Sequence, residues 1–399
     1  MISVINILYH NGSIMKRVLV LGGGTGGTIV SNRLAYELSD MIKDGELIIE
    51  VVNPSEYHYY QPAFLLIPVN KMDEREAYTY FQNLIAEGVK WIKDRAVKID
   101  IDDRSVVLSN GDVKNYDYLV ISTGAALDTS DVKGLEDTYH FYSLDAAVKL
   151  KNVLSGFDGG DIVIGVSSIP YRCPPAPAEM AFLLNDYFTE RGLRDKVRIT
   201  YFYPLPRVFP VPGVSDIVDE LMDRRGIDKA LMFNLDYVDT ENKRIVSLEG
   251  EELRYDLAIV IPPHKGAQVI RDSGLGDEDG WVDVDRYTLN IPGYDDVYVI
   301  GDATNLPVSK AGSVADFEAA VVSRRIVDEL MGYEPISRYD GKVMCFLVTG
   351  FGEATVLVFD YNNPPKPVPP SFIYYWLKLA YNKMYWSITA KSLLAGVVF

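Results

Sequence analysis

The chain has 399 residues, enough for two or three domains and for a large core without disulfide staples. Its 39 Lys and Arg against 56 Asp and Glu leave a net charge of −17, which repels phosphate backbones and excludes nucleic acid as a partner. Two cysteines and four histidines exclude a secreted disulfide scaffold and a typical zinc module, so no metal site is expected. Cys173 and Cys345 are then either inert buried thiols or a redox pair.

No run of 18 apolar residues suggests a spanning helix, and residues 1–14 lack the basic start and small-residue cleavage site of a signal peptide. Met15 sits directly before a strand, so residues 1–14 are expected to precede the true start or to form a loose arm. From Lys16 the chain reads KRVLVLGGGTGGTIVSNRLAYEL, an apolar strand, a glycine turn and a helical pattern. The next strand, Leu47 to Val52, ends at Asn53. Segments at Val89–Ile101 and Ser105–Leu108 read as an antiparallel meander, followed by YDYLVISTGA from Tyr116 to Ala125. A second strand–helix–strand unit follows: Asp161–Val166, a helix from about Pro174 to Arg191, and Val197–Tyr203. After Asp256–Pro263 comes DDVYVIGDAT, Asp295 to Thr304, then a helix from about Ser313 to Met331. Strands alternating with helices over nearly 300 residues predict an α/β fold with parallel sheets.

The tail differs. Residues 361–399 carry four lysines and no acidic residue, and the stretch NNPPKPVPP interrupts regular structure. Phe372, Trp376, Leu379 and Ala380 fall at helical spacing, with Lys378 and Asn382 on another face, which describes an amphipathic helix. Such a helix lies on a membrane surface, or docks on the protein's own core or a second subunit.

Gly22, Gly24 and Gly27 form G-x-G-x-x-G between a strand and a helix, where glycines admit a pyrophosphate to the helix N-terminus. The same glycines would also suit a merely structural tight turn. At the strand end where an acidic ribose ligand is usual, Asn53 stands as a neutral hydrogen-bonding substitute. In the second unit the corresponding turn reads GVSSIPYRCPPAPAE, with only Gly165 left and four prolines, which have no N–H to offer a phosphate. A nicotinamide donor is therefore disfavoured. Cys173 occupies that place, where the helix end and Arg172 are expected to favour the thiolate. Glu179, six residues on, is expected to act as a proton acceptor.

With these motifs in this order, the chain resembles sulfide:quinone oxidoreductase, a membrane-associated flavoprotein family with two dinucleotide-binding domains. The resemblance spans about residues 16–395. It implies two Rossmann-like domains plus C-terminal amphipathic helices: an FAD-binding domain at 15–127 and 276–334, a second domain with a degenerate NAD(P)H site at 128–275, and a quinone- and membrane-binding region at 335–399. FAD would lie against Gly22, Gly24, Thr25, Gly26, Gly27, Asn53, Val97, Thr123, Gly124, Gly301, Asp302, Lys310 and Gly312. Cys173, Cys345 and Glu179 would be catalytic, and Met344, Phe346, Lys378 and Tyr381 would contact the quinone.

Many family members carry a third cysteine, in some tied to the flavin, but this position falls at Tyr142, so non-covalent FAD is expected. The resemblance implies oxidation of sulfide to polysulfide or sulfur across a Cys173–Cys345 bridge, with electrons leaving through FAD to a quinone. It also implies a monotopic protein of the cell membrane and a homo-oligomer. Two alternatives remain at this point: a type II NADH:quinone oxidoreductase, and a non-catalytic flavin-binding redox sensor or electron carrier.

Overall fold

A computed structural model describes residues 15–366 and 368–393. Residues 1–14, where a loose arm was expected, Pro367 and the last six residues, including Phe399, lie outside the described residues. In chain order, the first half comprises Lys16–Leu21 (β1), Thr25–Glu37 (α1), Leu47–Val52 (β2), Val89–Ile92 (β3) and Tyr118–Ile121 (β4). The second comprises Gly160–Val166 (β5), Ala176–Glu190 (α2), Val197–Tyr203 (β6), Asp228–Leu231 (β7) and Leu257–Ile261 (β8). Val297–Val299 (β9), Gly312–Leu330 (α3), the hairpin Val343–Gly350 (β10) and Glu353–Phe359 (β11), and Phe372–Met384 (α4) complete the path.

Two parallel sheets result, with strand orders β9-β4-β1-β2-β3 and β7-β6-β5-β8. The protein is thus an α/β chain built on parallel sheets, as its alternating pattern predicts. Val18 to Leu21 of β1 and Ile162 to Ile164 of β5 are essentially inaccessible, as strands covered on both faces must be. One expectation needs correction. Val89–Ile92 is not part of the meander; it pairs in parallel with β2, from Ile49↔Val89 to Val52↔Ile92, satisfying the backbone groups β2 would otherwise leave open. The meander proper is Ala96–Asp100, Ser105–Leu108 and Val113–Asn115.

In each sheet the order reverses about one strand, β1 in the first and β5 in the second. Ligands of open α/β sheets sit at the carboxyl end of such a strand. At the end of β1 stands the turn Gly22–Thr25; at the end of β5 stands the loop to Cys173. The β10–β11 hairpin packs on α2, and α4 packs on β11, so the chain from Val343 onward roofs both crevices.

Candidate active site

One cavity of about 700 Å³ joins the two crevices. Its first part is walled by Gly22, Gly24, Thr25, Gly26, Asn53, Thr123 and Gly124, and by Gly301, Asp302, Lys310 and Gly312 from the other side of the sheet. Gly22 has φ of +104°, and a Cβ on it would lie 2.2 Å from the Ser122 carbonyl oxygen. A Cβ on Gly24, by contrast, would meet nothing within 4 Å, so the room beside it is left for a ligand. Gly24 is also the N-cap of α1 and supplies no side-chain acceptor, which leaves the positive helix end facing that room. Asn53 donates its amide to the Ser55 carbonyl at 2.9 Å, which keeps its side-chain oxygen as an acceptor. These residues fit a dinucleotide.

Two expected contacts are placed differently. Gly27 does not line the cavity; it lets α1 approach β1, since a Cβ there would sit 2.0 Å from the Gly22 carbonyl oxygen. Val97 is 40% exposed and does not line the cavity, which Asp94, Arg95 and Ala96 border just before it.

Lys310 closes this end. Its ammonium donates to the carbonyls of Asp302 at 3.0 Å and Thr304 at 2.7 Å and lies 3.8 Å from the centre of the Trp281 ring. Burial lowers its pKa to about 8. Desolvation raises the Asp302 carboxyl, against the pull of Arg172 and Lys310. Beneath them, inaccessible Glu318 accepts the Gly301 N–H at 2.5 Å, and desolvation raises its pKa to about 8.

The second part of the cavity holds both thiols. Cys173, at φ +50°, donates its N–H to the Lys310 carbonyl at 2.7 Å, tying the sulfur-bearing loop to the first sheet's wall. Left-handed backbone at a non-glycine residue costs on the order of 1 kcal/mol and is held only by such ties. Cys345 reaches the same cavity from β10, and both are free thiols. The expected thiolate at Cys173 is not found. Burial raises that thiol strongly, nearby Glu179 raises it further, and burial raises Cys345 to about 11. Arg172 gives no help, since its guanidinium is spent on Gln61 and on the Tyr142 carbonyl.

Glu179 is 1% exposed. One of its oxygens accepts both the Val348 N–H of β10 and the Lys378 ammonium of α4, each at 2.7 Å. A single carboxylate therefore joins the helix after Cys173, the strand of Cys345 and the C-terminal helix. Met344, Phe346, Lys378 and Tyr381 line this end, and Lys378 is committed to Glu179.

The sequence signature of the pyridine nucleotide-disulphide oxidoreductases matches residues 16–323. The mitochondrial sulfide:quinone oxidoreductase of Mus musculus is 31% identical over 360 residues, covering 87% of this chain and 79% of that relative. The chain belongs to the sulfide:quinone oxidoreductase family. The Dictyostelium discoideum member is 30% identical over 359 residues, covering 87% of this chain and 78% of its own. The crystal structure of the Aquifex aeolicus sulfide:quinone oxidoreductase shares the fold, with a TM-score of 0.82 at 21% identity and 96% of each chain covered.

Within this family member, the second switch point is packed by protein. Tyr171 is buried there and its hydroxyl meets the Tyr203 hydroxyl at 2.9 Å and the Pro174 carbonyl at 3.1 Å. A Cβ on Gly165 would lie 2.1 Å from the Phe202 carbonyl oxygen, so the surviving glycine serves strand packing. Sequence reasoning missed Tyr60, Asn382 and Tyr385 in the cavity wall, and buried His58 and Glu318 behind it. None lies in a motif; the density of aromatics near 57–60 and 372–386 hinted at all but Glu318, for which there was no signal.

Proposed function

We propose that this protein is an FAD-dependent sulfide:quinone oxidoreductase working through Cys173 and Cys345. The observation that carries the reading is the convergence of two cysteines, 172 positions apart, on the cavity that begins at the glycine turn. FAD bound there would take an electron pair from the thiol side and pass it to a quinone on the α4 side. Gly22, Gly24 and Thr25 would hold its phosphates, Asn53 a ribose, and Asp302, Lys310 and Gly312 the stretch toward the ring.

In the oxidised enzyme, hydrosulfide attacks the Cys173–Cys345 bridge. One sulfur–sulfur bond forms and one breaks, leaving a persulfide on one cysteine and a thiolate on the other. Burial raises both thiols, with the nearby Lys378 ammonium pulling the other way, so that thiolate is a strong nucleophile. Glu179, ion-paired with Lys378 beside both sulfurs, is the group placed to hold the proton that hydrosulfide brings. A second hydrosulfide attacks the outer persulfide sulfur, whose bond to the cysteine breaks as a hydrodisulfide leaves; the reduced pair then re-forms its bridge by giving up the electron pair that bound FAD would accept. Met344 and Phe346, on either side of Cys345, and Tyr381 offer an apolar, aromatic surface that would receive the quinone ring.

The same reading divides the chain into an FAD domain at 15–127 and 276–334, a second domain at 128–275 and a quinone- and membrane-binding region from 335. It takes FAD as non-covalent, because Tyr142 stands where a tethering cysteine would. It places the protein as a homo-oligomer attached peripherally to the cell membrane. Among the described residues no helix is long and apolar enough to cross a membrane. Anaerobic sulfide is expected to bleach the flavin absorbance and to support quinone reduction, while C345S abolishes the bleaching. A fully active C345S enzyme would overturn the mechanism.

A further inference from the structure

Beneath the glycine turn, three side chains from distant parts of the chain form one directed chain of hydrogen bonds. His58, 1% exposed, has Nδ1 2.9 Å from the Gly23 carbonyl oxygen. A carbonyl only accepts, so Nδ1 carries the proton and Nε2 is the acceptor. Tyr385 Oη lies 2.7 Å from that Nε2 and must donate to it. Its lone pair is then free to accept the Thr25 hydroxyl at 2.9 Å. Desolvation keeps the imidazole neutral, with a pKa of about 4, so this arrangement is the one populated near neutrality. Thr25 and Tyr385 both face the cavity.

Tyr385 is part of a wider seat. It follows directly on α4, and its ring lies 4.4 Å from that of Tyr60, whose hydroxyl donates to the Asn382 side-chain oxygen. Asn32 of α1, wholly buried, donates to the Ala390 and Leu84 carbonyls, both at 2.9 Å, and accepts the Ala86 N–H at 2.7 Å. The segment 382–390 therefore rests on the first turns of α1, the same turns that begin at the glycine motif.

We propose that His58 and Tyr385 are positioning residues for the dinucleotide, acting through Gly23 and Thr25, so that seating of the C-terminal segment and cofactor binding are coupled. The proposal rests on the dinucleotide reading of the turn. Coupling between two equilibria is reciprocal: a seated segment orders the turn, and a ligand on the turn holds the segment down.

FAD titration of the full-length apoprotein tests it. Y385F keeps the ring packed against Tyr60 and removes only the hydroxyl that joins Thr25 to His58. It is expected to weaken FAD binding about tenfold, the loss of a buried hydrogen bond, in a variant that still folds at the titration temperature. Unchanged affinity would overturn the coupling. Should the variant melt early, wild-type protein decides: saturating FAD is expected to slow tryptic cleavage at Lys383 and Lys391 about fivefold or more. Equal cleavage with and without FAD would overturn the proposal. A wild-type chain that binds no FAD at all would instead remove the dinucleotide reading beneath it.

Discussion

Lys378 shows how far a side chain's role depends on what it meets. On an isolated helix it would be a surface lysine, yet here it is nearly buried against Glu179, with a nitrogen–oxygen distance of 2.7 Å. A buried pair adds little over an apolar replacement, but breaking one leaves an unpaired charge at a cost of about 3–5 kcal/mol. K378M is therefore expected to lower the melting temperature clearly, and the double variant K378M/E179Q to recover most of the loss. A double variant as unstable as K378M would show that packing, not charge, sets the effect. Glu318 makes a pH-dependent version of the same point. Its folded pKa is about 8, against about 4.3 in an unfolded chain. Its contribution is complete below about 4.3 and is lost as pH rises toward 8, because the unfolded chain gives up a proton that the fold retains. E318Q is expected to gain melting temperature over wild type progressively between pH 5 and 8. A constant difference across that range would contradict the buried, protonated carboxyl.

At the scale of elements, α4 has its polar residues inside and its apolar residues outside. Lys378 and Asn382 are buried on Glu179 and Tyr60, while Phe372 and Trp376 are 65% and 64% exposed, with Ile373 and Leu377 beside them. Four such side chains burying about 100 Å² each at about 25 cal/mol per Å² would contribute about 10 kcal/mol on entering a lipid interface. A lysine near anionic lipid adds only about 1 kcal/mol. Binding to anionic vesicles is expected to survive high salt and to fall sharply in F372E/W376E, measured by co-sedimentation. Vesicle binding unaffected by F372E/W376E would assign the exposed face to another surface. The second element of consequence is the β5–α2 connection. Replacing glycines by SSIPYRCPP turned a phosphate turn into a packed loop, with Tyr171 buried and Cys173 held at positive φ by Lys310.

For the whole molecule, the β5–α2 connection distinguishes the electron donor. NADH is expected to leave the flavin oxidised where sulfide bleaches it, because prolines and Tyr171 occupy the second switch point. The charge of −17 is likewise an average, over an acidic body and a tail with four lysines and no acid. Local patterns carried much of the fold: β1, β6 and the β5–α2 unit lie where apolar runs, glycines and helix periodicity put them. The turn at Gly22 and Gly24 was legible because G-x-G-x-x-G sets glycines at fixed spacing between a strand and a helix. Val89–Ile92 was misplaced because only pairing with β2, 40 residues earlier, distinguishes a sheet edge from a meander strand. The thiol environment was misread for a related reason. Helix position and a neighbouring Arg172 are local and argue for thiolate, but burial and Glu179 are properties of the assembled cavity and reverse the sign. Motif and composition thus specified the two crevices and the residue types at their mouths, since these depend on short-range backbone chemistry. The joining of Cys173, Cys345, Glu179 and Lys378, and the seating of Tyr385 under the glycine turn, arose from long-range packing between segments that share no sequence signal.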